Sequence, residues 1–261
     1  MKKGYFDVLS GLAKGELPLY LAKADIRQRY RRSSLGPFWI TISTGVMIAC
    51  IGVIFGNLFK SPMSEFLPFL SAGLILWAFI STVLTESTTV FVAAEPIIKQ
   101  LPLPLFTHVI RMVARNFYIF LHNIVIFPLV CLVVQRAWGW NVLLTIPGVV
   151  ILVINLLWLS LLLGVICTRF RDMGQIVQSI LQIVFYVTPI IWMPSLLPAR
   201  TSTMVLTPNP VFHLMEIVRA PLMNTAPTML NWAVSIAIAV VGWCVTLMIY
   251  NKYKSRVAYW L

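Results

Sequence analysis

Apolar residues in this chain come in long runs rather than in alternation, at about residues 37–59, 66–85, 117–134, 142–167, 176–192 and 232–250. Each run approaches the roughly 20 apolar residues that a helix needs to cross a bilayer. A barrel strand would instead alternate and span about 10 residues. The pattern predicts an all-α polytopic membrane protein with six transmembrane helices. Residues 1–36 form an N-terminal interfacial segment, 37–250 a membrane domain and 251–261 a tail.

Composition agrees. Of the 261 residues, 59% are hydrophobic and 11% charged, against about 25% charged in an ordinary soluble domain. One water-soluble core cannot hide so much apolar side chain. The first run follows a charged stretch with no short apolar region or small-residue cleavage site, so no signal peptide is expected.

Net charge is +12, which in a soluble protein would point to nucleic acid. Its distribution points elsewhere. Most of the 20 basic residues fall before the first run, in the second and fourth connections (Lys99, Arg111, Arg115, Arg169, Arg171) and in the tail (Lys252, Lys254, Arg256). The remaining connections hold only Lys60, Arg136, Arg200 and Arg219. By the positive-inside bias both termini are expected in the cytoplasm, with no nucleic-acid partner.

No phosphate loop, H-E-x-x-H, G-x-S-x-G or Cys/His cluster occurs, and the four cysteines are widely separated packing residues. With eight acidic residues and three histidines, no catalytic residue and no metal site is expected.

Three polar features interrupt the apolar pattern. Residues 17–32 read as a basic interfacial helix in which Leu17, Tyr20, Leu21 and Ala24 share a stripe beside Lys23, Arg27 and Arg31; a solvated basic arm is the plainer alternative. Gly36-Pro37 should end that helix. Second, His108, Arg111, Arg115, Tyr118 and His122 fall within about 80° of one another on a helix, a costly placement at membrane depth. Either the arginines snorkel or pair with Glu86, or they form a phosphate-binding wall. Third, residues 193–227 hold six prolines and apolar pieces too short to cross a bilayer, predicting short re-entrant helices or an interfacial loop on the outer side. Residues 93–105, with three prolines, form a stiff connector, and 168–174 a compact charged one. Gly52 and Gly56 form a G-x-x-x-G packing pair in the first run.

With these pieces in place, the chain resembles the permease subunit of polysaccharide ABC exporters, in particular the Wzm-type O-antigen export family. The residues that carry the likeness run through nearly the whole chain: Asp25, Arg29-Tyr30-Arg31-Arg32-Ser33, Leu35-Gly36 and Trp39; Ile98-Lys99 and Leu103-Pro104; Phe170-Arg171-Asp172; Thr188-Pro189-Ile190, Leu197-Pro198 and Asn209-Pro210. Leu101-Pro102-Leu103-Pro104 departs from it, since relatives tend to carry an aromatic and a basic residue around the proline.

The resemblance implies a homodimer in the bacterial inner membrane, paired with two ABC nucleotide-binding subunits that carry ATP and Mg; this chain has no cofactor. It implies export of an O-antigen polysaccharide on undecaprenyl diphosphate. Coupling to the ATPase would fall to Glu95, Ile98, Lys99, Arg171 and Asp172. The headgroup would meet Arg27, Arg29, Tyr30, Arg31, Arg32, Arg111 and Arg115. Phe38, Trp39, Phe55, Phe185, Tyr186 and Trp192 would line the channel as sugar-stacking aromatics, with packing or lipid-belt roles as the alternative. Pro189, Pro198, Asn209 and Pro210 would shape a periplasmic gate. Capsule or teichoic-acid export remains open, as does a membrane-embedded transferase for polyprenyl-linked sugars, which His108 and Glu86 alone would have to serve.

Overall fold

The computed structural model describes residues 4–31, 38–137 and 139–261; Arg32, Gly36 and Pro37 therefore lie outside the described residues. Its helices are α1 (Gly4–Ala13), α2 (Glu16–Tyr30), α3 (Phe38–Leu58), α4 (Met63–Ser87), α5 (Val90–Ala93), α6 (Glu95–Gln100), α7 (Leu105–Asn123), α8 (Ile126–Val133), α9 (Thr145–Arg169), α10 (Met173–Val187), α11 (Ala199–Leu206), α12 (Pro210–Leu222) and α13 (Met229–Trp260). Short 3-10 turns precede α9 and α11. Among the described residues there is no strand.

Five segments are long and apolar enough to cross a membrane by length and composition: α3, α4, α7 with α8, α9 with the 3-10 turn before it, and α13. The sixth expected run is cut short. At 15 residues α10 is about 22 Å long, below the roughly 30 Å hydrocarbon core. Pro189 explains the stop: the residue before a proline is pushed out of the helical region, and Thr188 is extended at ψ 136°. The third span starts twelve residues earlier than its apolar run, because α7 is amphipathic. Its face of Leu105, Phe106, Val109, Met112 and Val113 is buried against protein. Pro128 cannot bond to the Ile124 carbonyl, and the chain tightens there, with Phe127 N donating to Ile124 O (3.1 Å) between α7 and α8.

The core lies around α4, whose most apolar window is 72% buried against 17% for α3 and 22% for α13. Helices α3, α7, α8, α9, α10 and α12 pack on it, and α13 runs along α9. Gly52 and Gly56 of the small-residue pair face α4, where added methyl groups would meet Leu67 and Met63. Polar ties join the helices inside the bundle: Ser87 Oγ donates to Ser160 Oγ (2.8 Å) and Asn155 Nδ2 to the Ser235 carbonyl (3.2 Å).

The N-terminal region is two helices rather than one, divided at Lys14-Gly15. Pro18 and Ala22 are the buried residues of α2, with Leu17, Leu21, Asp25 and Ile26 half-buried beside them, so only Leu17 and Leu21 of the expected stripe turn inward; Ala24 is exposed and Tyr20 is 70% exposed. Fully buried Ala22 lets α2 run close along α7. Helix α1 lies across α7 and α13. Its Asp7 accepts from Phe106 N at the start of α7 (3.0 Å) and from Tyr250 Oη (2.7 Å), and pairs with Lys254 Nζ (2.8 Å). Both ends of the chain thus meet at one end of the bundle.

Candidate functional site

Besides the Asp7 tie, two larger polar clusters break the apolar interior among the described residues. The first sits where α2 meets α7. Arg111 and Arg115 are one turn apart on the same face of α7, beside Glu86 at the end of α4. Asp25 grips Arg111 with both oxygens, at 2.7 Å from Nε and 2.5 Å from Nη2. Arg115 is shared: Nη2 lies 2.6 Å from Glu86 Oε2, while Nη1 reaches Asp25 Oδ2 only at 3.5 Å. Asn116 Nδ2 also donates to Glu86 Oε2. These pairs are bidentate or shared, the geometry in which guanidinium groups hold carboxylate or phosphate oxygens most strongly.

Behind this network lies a cavity of about 310 Å³, lined by Glu86, Thr89, Val90, Ala93, Ala94, His108, Arg111, Met112 and Arg115. His108 is buried in its wall, and neither ring nitrogen has a protein partner; nor has the buried Nε of Arg115. Farther along α7, His122 Nδ1 meets the Tyr118 carbonyl (2.7 Å), and Lys23 sits over the Tyr118 ring.

Of the expected headgroup residues, the structure brings Arg29, Arg111 and Arg115 together, since Arg29 and Gln28 bound a shallower hollow with Asp25, Glu86 and Arg115. Arg27 and Arg31 line a separate groove with Tyr20, Lys23, Ala24 and Gln28. Tyr30 ends α2 with a buried hydroxyl that has no partner among the described residues. Sequence reasoning missed Asp25 as the arginines' partner. The available signal was scarcity: Asp25 is one of only eight acids and stands among basic neighbours.

The second cluster closes the opposite end. Asn209 caps α12, its Oδ1 accepting from Val211 N (3.0 Å) and Phe212 N (3.2 Å), and its Nδ2 donates to Thr188 Oγ1 (2.9 Å). Arg219, 1% exposed, pairs with Glu216 (2.5 Å), donates to the Pro189 carbonyl and lies 4.2 Å from the Phe69 ring centre. His213 bridges Asn231 Oδ1 (2.7 Å) and the Thr207 carbonyl (2.8 Å). Pro189, Asn209 and Pro210 are gathered here, while Pro198 sits exposed at the start of α11. Arg219 and His213 were not among the expected gate residues; their spacing with Glu216, three residues apart on one helical face, is the signal that marks them.

The expected channel aromatics do not make one wall. Phe38 and Trp39 are exposed at the start of α3, and Phe55 packs on Phe59 (5.5 Å) toward its other end. Phe185, Tyr186 and Trp192 do converge: Phe185 and Tyr186 meet edge to face, and Trp192 Nε1 donates to the Tyr186 carbonyl (3.1 Å). Trp77 joins Phe185 (5.6 Å), and with Ser81, Thr85, Gln178, Leu181 and Gln182 they line a groove of about 320 Å³ between α4 and α10. Trp77, Gln178 and Gln182 were not anticipated.

Of the expected coupling residues, Glu95 and Lys99 pair across one turn of exposed α6 (2.6 Å), Ile98 tucks against the core, and Arg171 and Asp172 are exposed before α10. Among the described residues no group of His, Cys, Asp or Glu could hold a metal ion.

The chain belongs to the ABC-2 type transporter family, which matches residues 18–223. It is thus a transport protein's membrane subunit, built of several apolar helices. Particular relatives are O-antigen export system permease proteins. Two, both named RfbA and from Klebsiella pneumoniae, are 25% and 26% identical over 93% of this chain and 94% of their own length. A third RfbA, from Myxococcus xanthus, is 25% identical over 78% of this chain and 79% of its own.

Proposed function

We propose that this chain is the permease subunit of an ATP-driven exporter of O-antigen polysaccharide carried on undecaprenyl diphosphate, across a bacterial inner membrane. The observation that carries this reading is the alignment with O-antigen export permeases over 93% of the chain. In this reading α10 and the bend at Thr188-Pro189 complete a sixth span, both termini face the cytoplasm, and residues 193–227 form the outer gate, α11 and α12 being re-entrant. Two copies of the chain pair with two ABC nucleotide-binding subunits, on which ATP and Mg bind. The exposed α6, with Arg171 and Asp172, is the contact that receives their movement. Arg27, Arg29, Arg31, Arg111 and Arg115 form the basic mouth for the diphosphate headgroup.

The glycan path runs along α3 and α10. Supporting it, amide side chains next to aromatic rings in the groove of Gln178, Gln182, Trp77 and Phe185 suit a ligand with apolar faces and hydroxyl edges. The exposed apolar faces of α3 and α10, including Ile42, Val46, Ile180 and Ile183, offer the surface on which a second copy would pack around that path. The test is to express the chain with its genomic neighbours: an ATPase should copurify with it, and the pair should restore surface O-antigen in an export mutant. A folded chain that recruits no ATPase and restores no export would remove this reading.

A further inference from the structure

We propose that the Asp25 carboxylate occupies the seat of a phosphoryl group, so that an arriving phosphate displaces it from Arg111 and Arg115 and thereby releases α2 from α7. The geometry at the seat is lopsided. Arg111 is held by both Asp25 oxygens, but Arg115 is split between Glu86 at 2.6 Å and Asp25 at 3.5 Å. Its Nε–H is buried without a protein partner, and so are both nitrogens of His108, which is 97% buried in the wall of the adjoining cavity. Buried polar groups in folded proteins are almost always hydrogen-bonded. These two residues also line one hollow of about 310 Å³, a size at the low end of small-ligand pockets.

The charges select the ligand class. Two guanidinium groups face two carboxylates, so the site as folded is balanced. A phosphate or diphosphate cannot join without adding uncompensated negative charge. It can exchange for Asp25, because a guanidinium fork matches phosphate oxygens as well as it matches a carboxylate. Glu86 and Asn116 then keep Arg115 in place. The hollow lined by Gln28, Arg29, Asp25 and Arg115 adjoins the cavity through Arg115 and Glu86, giving a basic approach along α2. Asp25 is the one acid on the inner face of α2, so losing its ion pairs loosens the helix.

This seat deepens the headgroup reading above and rests on it for its role in transport. The shared chemistry is a phosphoryl group, from a lipid headgroup or free in solution. The test uses the full-length chain in zwitterionic nanodiscs, with undecaprenyl diphosphate, inorganic diphosphate and neutral undecaprenol as probes. Affinity is measured together with hydrogen exchange over residues 16–31. Asp25→Asn should bind the diphosphate probes at least about tenfold tighter than wild type, as expected when a charged competitor worth one factor of ten is removed. Diphosphate should speed exchange of α2 in the wild type. His108→Leu removes a ring whose nitrogens make no hydrogen bond to Asp25 or to α2; it should weaken diphosphate binding while leaving α2 exchange in the unliganded protein unchanged. A gain with both diphosphate probes, or with the lipid alone, supports the seat and identifies its source. Equal or weaker binding by Asp25→Asn, slower α2 exchange on binding, or an equal gain with undecaprenol would overturn it. Should Asp25→Asn not fold, the His108→Leu and wild-type arms still decide. A failed seat with intact ATPase recruitment and export leaves the transport reading standing, and the converse result leaves the seat standing.

Discussion

At the scale of single residues, Arg219 is the most demanding side chain in the molecule. It is wholly buried, and its guanidinium is satisfied by Glu216, by the Pro189 carbonyl and by the Phe69 ring face. Burying a cation is tolerable only with such full compensation. The contacts also tie three otherwise separate pieces together: the break after α10, the amphipathic α12 and the second turn of α4. Replacing Arg219 by Met would keep bulk but strand Glu216, which is partly open to its surroundings, and leave the Pro189 carbonyl without its donor. The expected loss is about 2–4 kcal/mol, toward the lower part of the range for breaking a buried pair because Glu216 can rehydrate. Thermal unfolding of the detergent-solubilised protein should show it, and Arg219→Lys should recover only part, having one compact charge in place of a fork. An unchanged melting temperature in Arg219→Met would show that the clasp is dispensable.

At the scale of helices, what the sequence reveals depends on whether the partner is lipid or protein. The runs that became α3, α4, α9 and α13 were legible because a lipid-facing or fully buried helix must be apolar along its length. Helix α1 was not read at all, and α7 was read as a helix only from His108, with its apolar run placed from residue 117 rather than from Leu105. The first turns of α7 are amphipathic, with one face on protein, so no uniformly apolar window marks them; α1 is only 10 residues long, burying Gly4, Asp7, Val8 and Gly11 while Tyr5, Phe6, Leu9 and Leu12 stay exposed. The end of α10 was misplaced because Ile190, Ile191 and Trp192 continue the apolar run past the proline that ends the helix. In the candidate site, Arg111, Arg115 and the prolines were legible as anomalies in apolar surroundings, whereas Arg219 was not singled out. Their partners, Asp25, Phe69 and Glu216, were not, because nothing in a linear pattern says which distant acid or ring a buried cation will find. Close helix contacts give a test at this scale. Gly148 of α9 faces the Ile217 carbonyl of α12 so closely that an added methyl group would meet backbone, not a movable side chain. Gly148→Ala should therefore push α12 from α9 and cost about 1–3 kcal/mol, read as a lower melting temperature. At Gly52, where the methyl group would meet only the flexible Leu67 side chain, the same change should cost less. Equal effects at the two sites would count against a tight α9–α12 contact.

At the scale of the whole molecule, charge and contact point to the same arrangement. The structure joins the two ends of the chain through Asp7, Tyr250 and Lys254, and it joins the far connections to each other: Arg136 Nη2 donates to the Met223 carbonyl (3.0 Å) and Asn141 Nδ2 to the Asn224 carbonyl (3.0 Å). At that far end two of the four basic residues are therefore committed to protein partners, Arg136 to Met223 and Arg219 to the clasp, which leaves Lys60 and Arg200 as its exposed cations. The end that holds the termini also pairs some cations, Lys99 with Glu95, Arg111 with Asp25, Arg115 with Glu86 and Lys254 with Asp7, but it keeps Lys23, Arg27, Arg29, Arg169 and Arg171 exposed. Positive charge next to the spans is retained on the cytoplasmic side, so the asymmetry is steeper in the folded protein than a count along the chain implies. In a variant whose four natural cysteines are replaced by serine, single cysteines at Ser61 and Thr201 should react with a membrane-impermeant thiol reagent added outside intact spheroplasts. Cysteines at Lys99 and Asp172 should react only after the membrane is opened. Lys99, Asp172 and Thr201 are exposed and Ser61 half-buried, and the positions lie on opposite ends of one bundle, so labelling of Thr201→Cys and Asp172→Cys from the same side would break the proposed topology, however well the rest of the chain resembled an exporter.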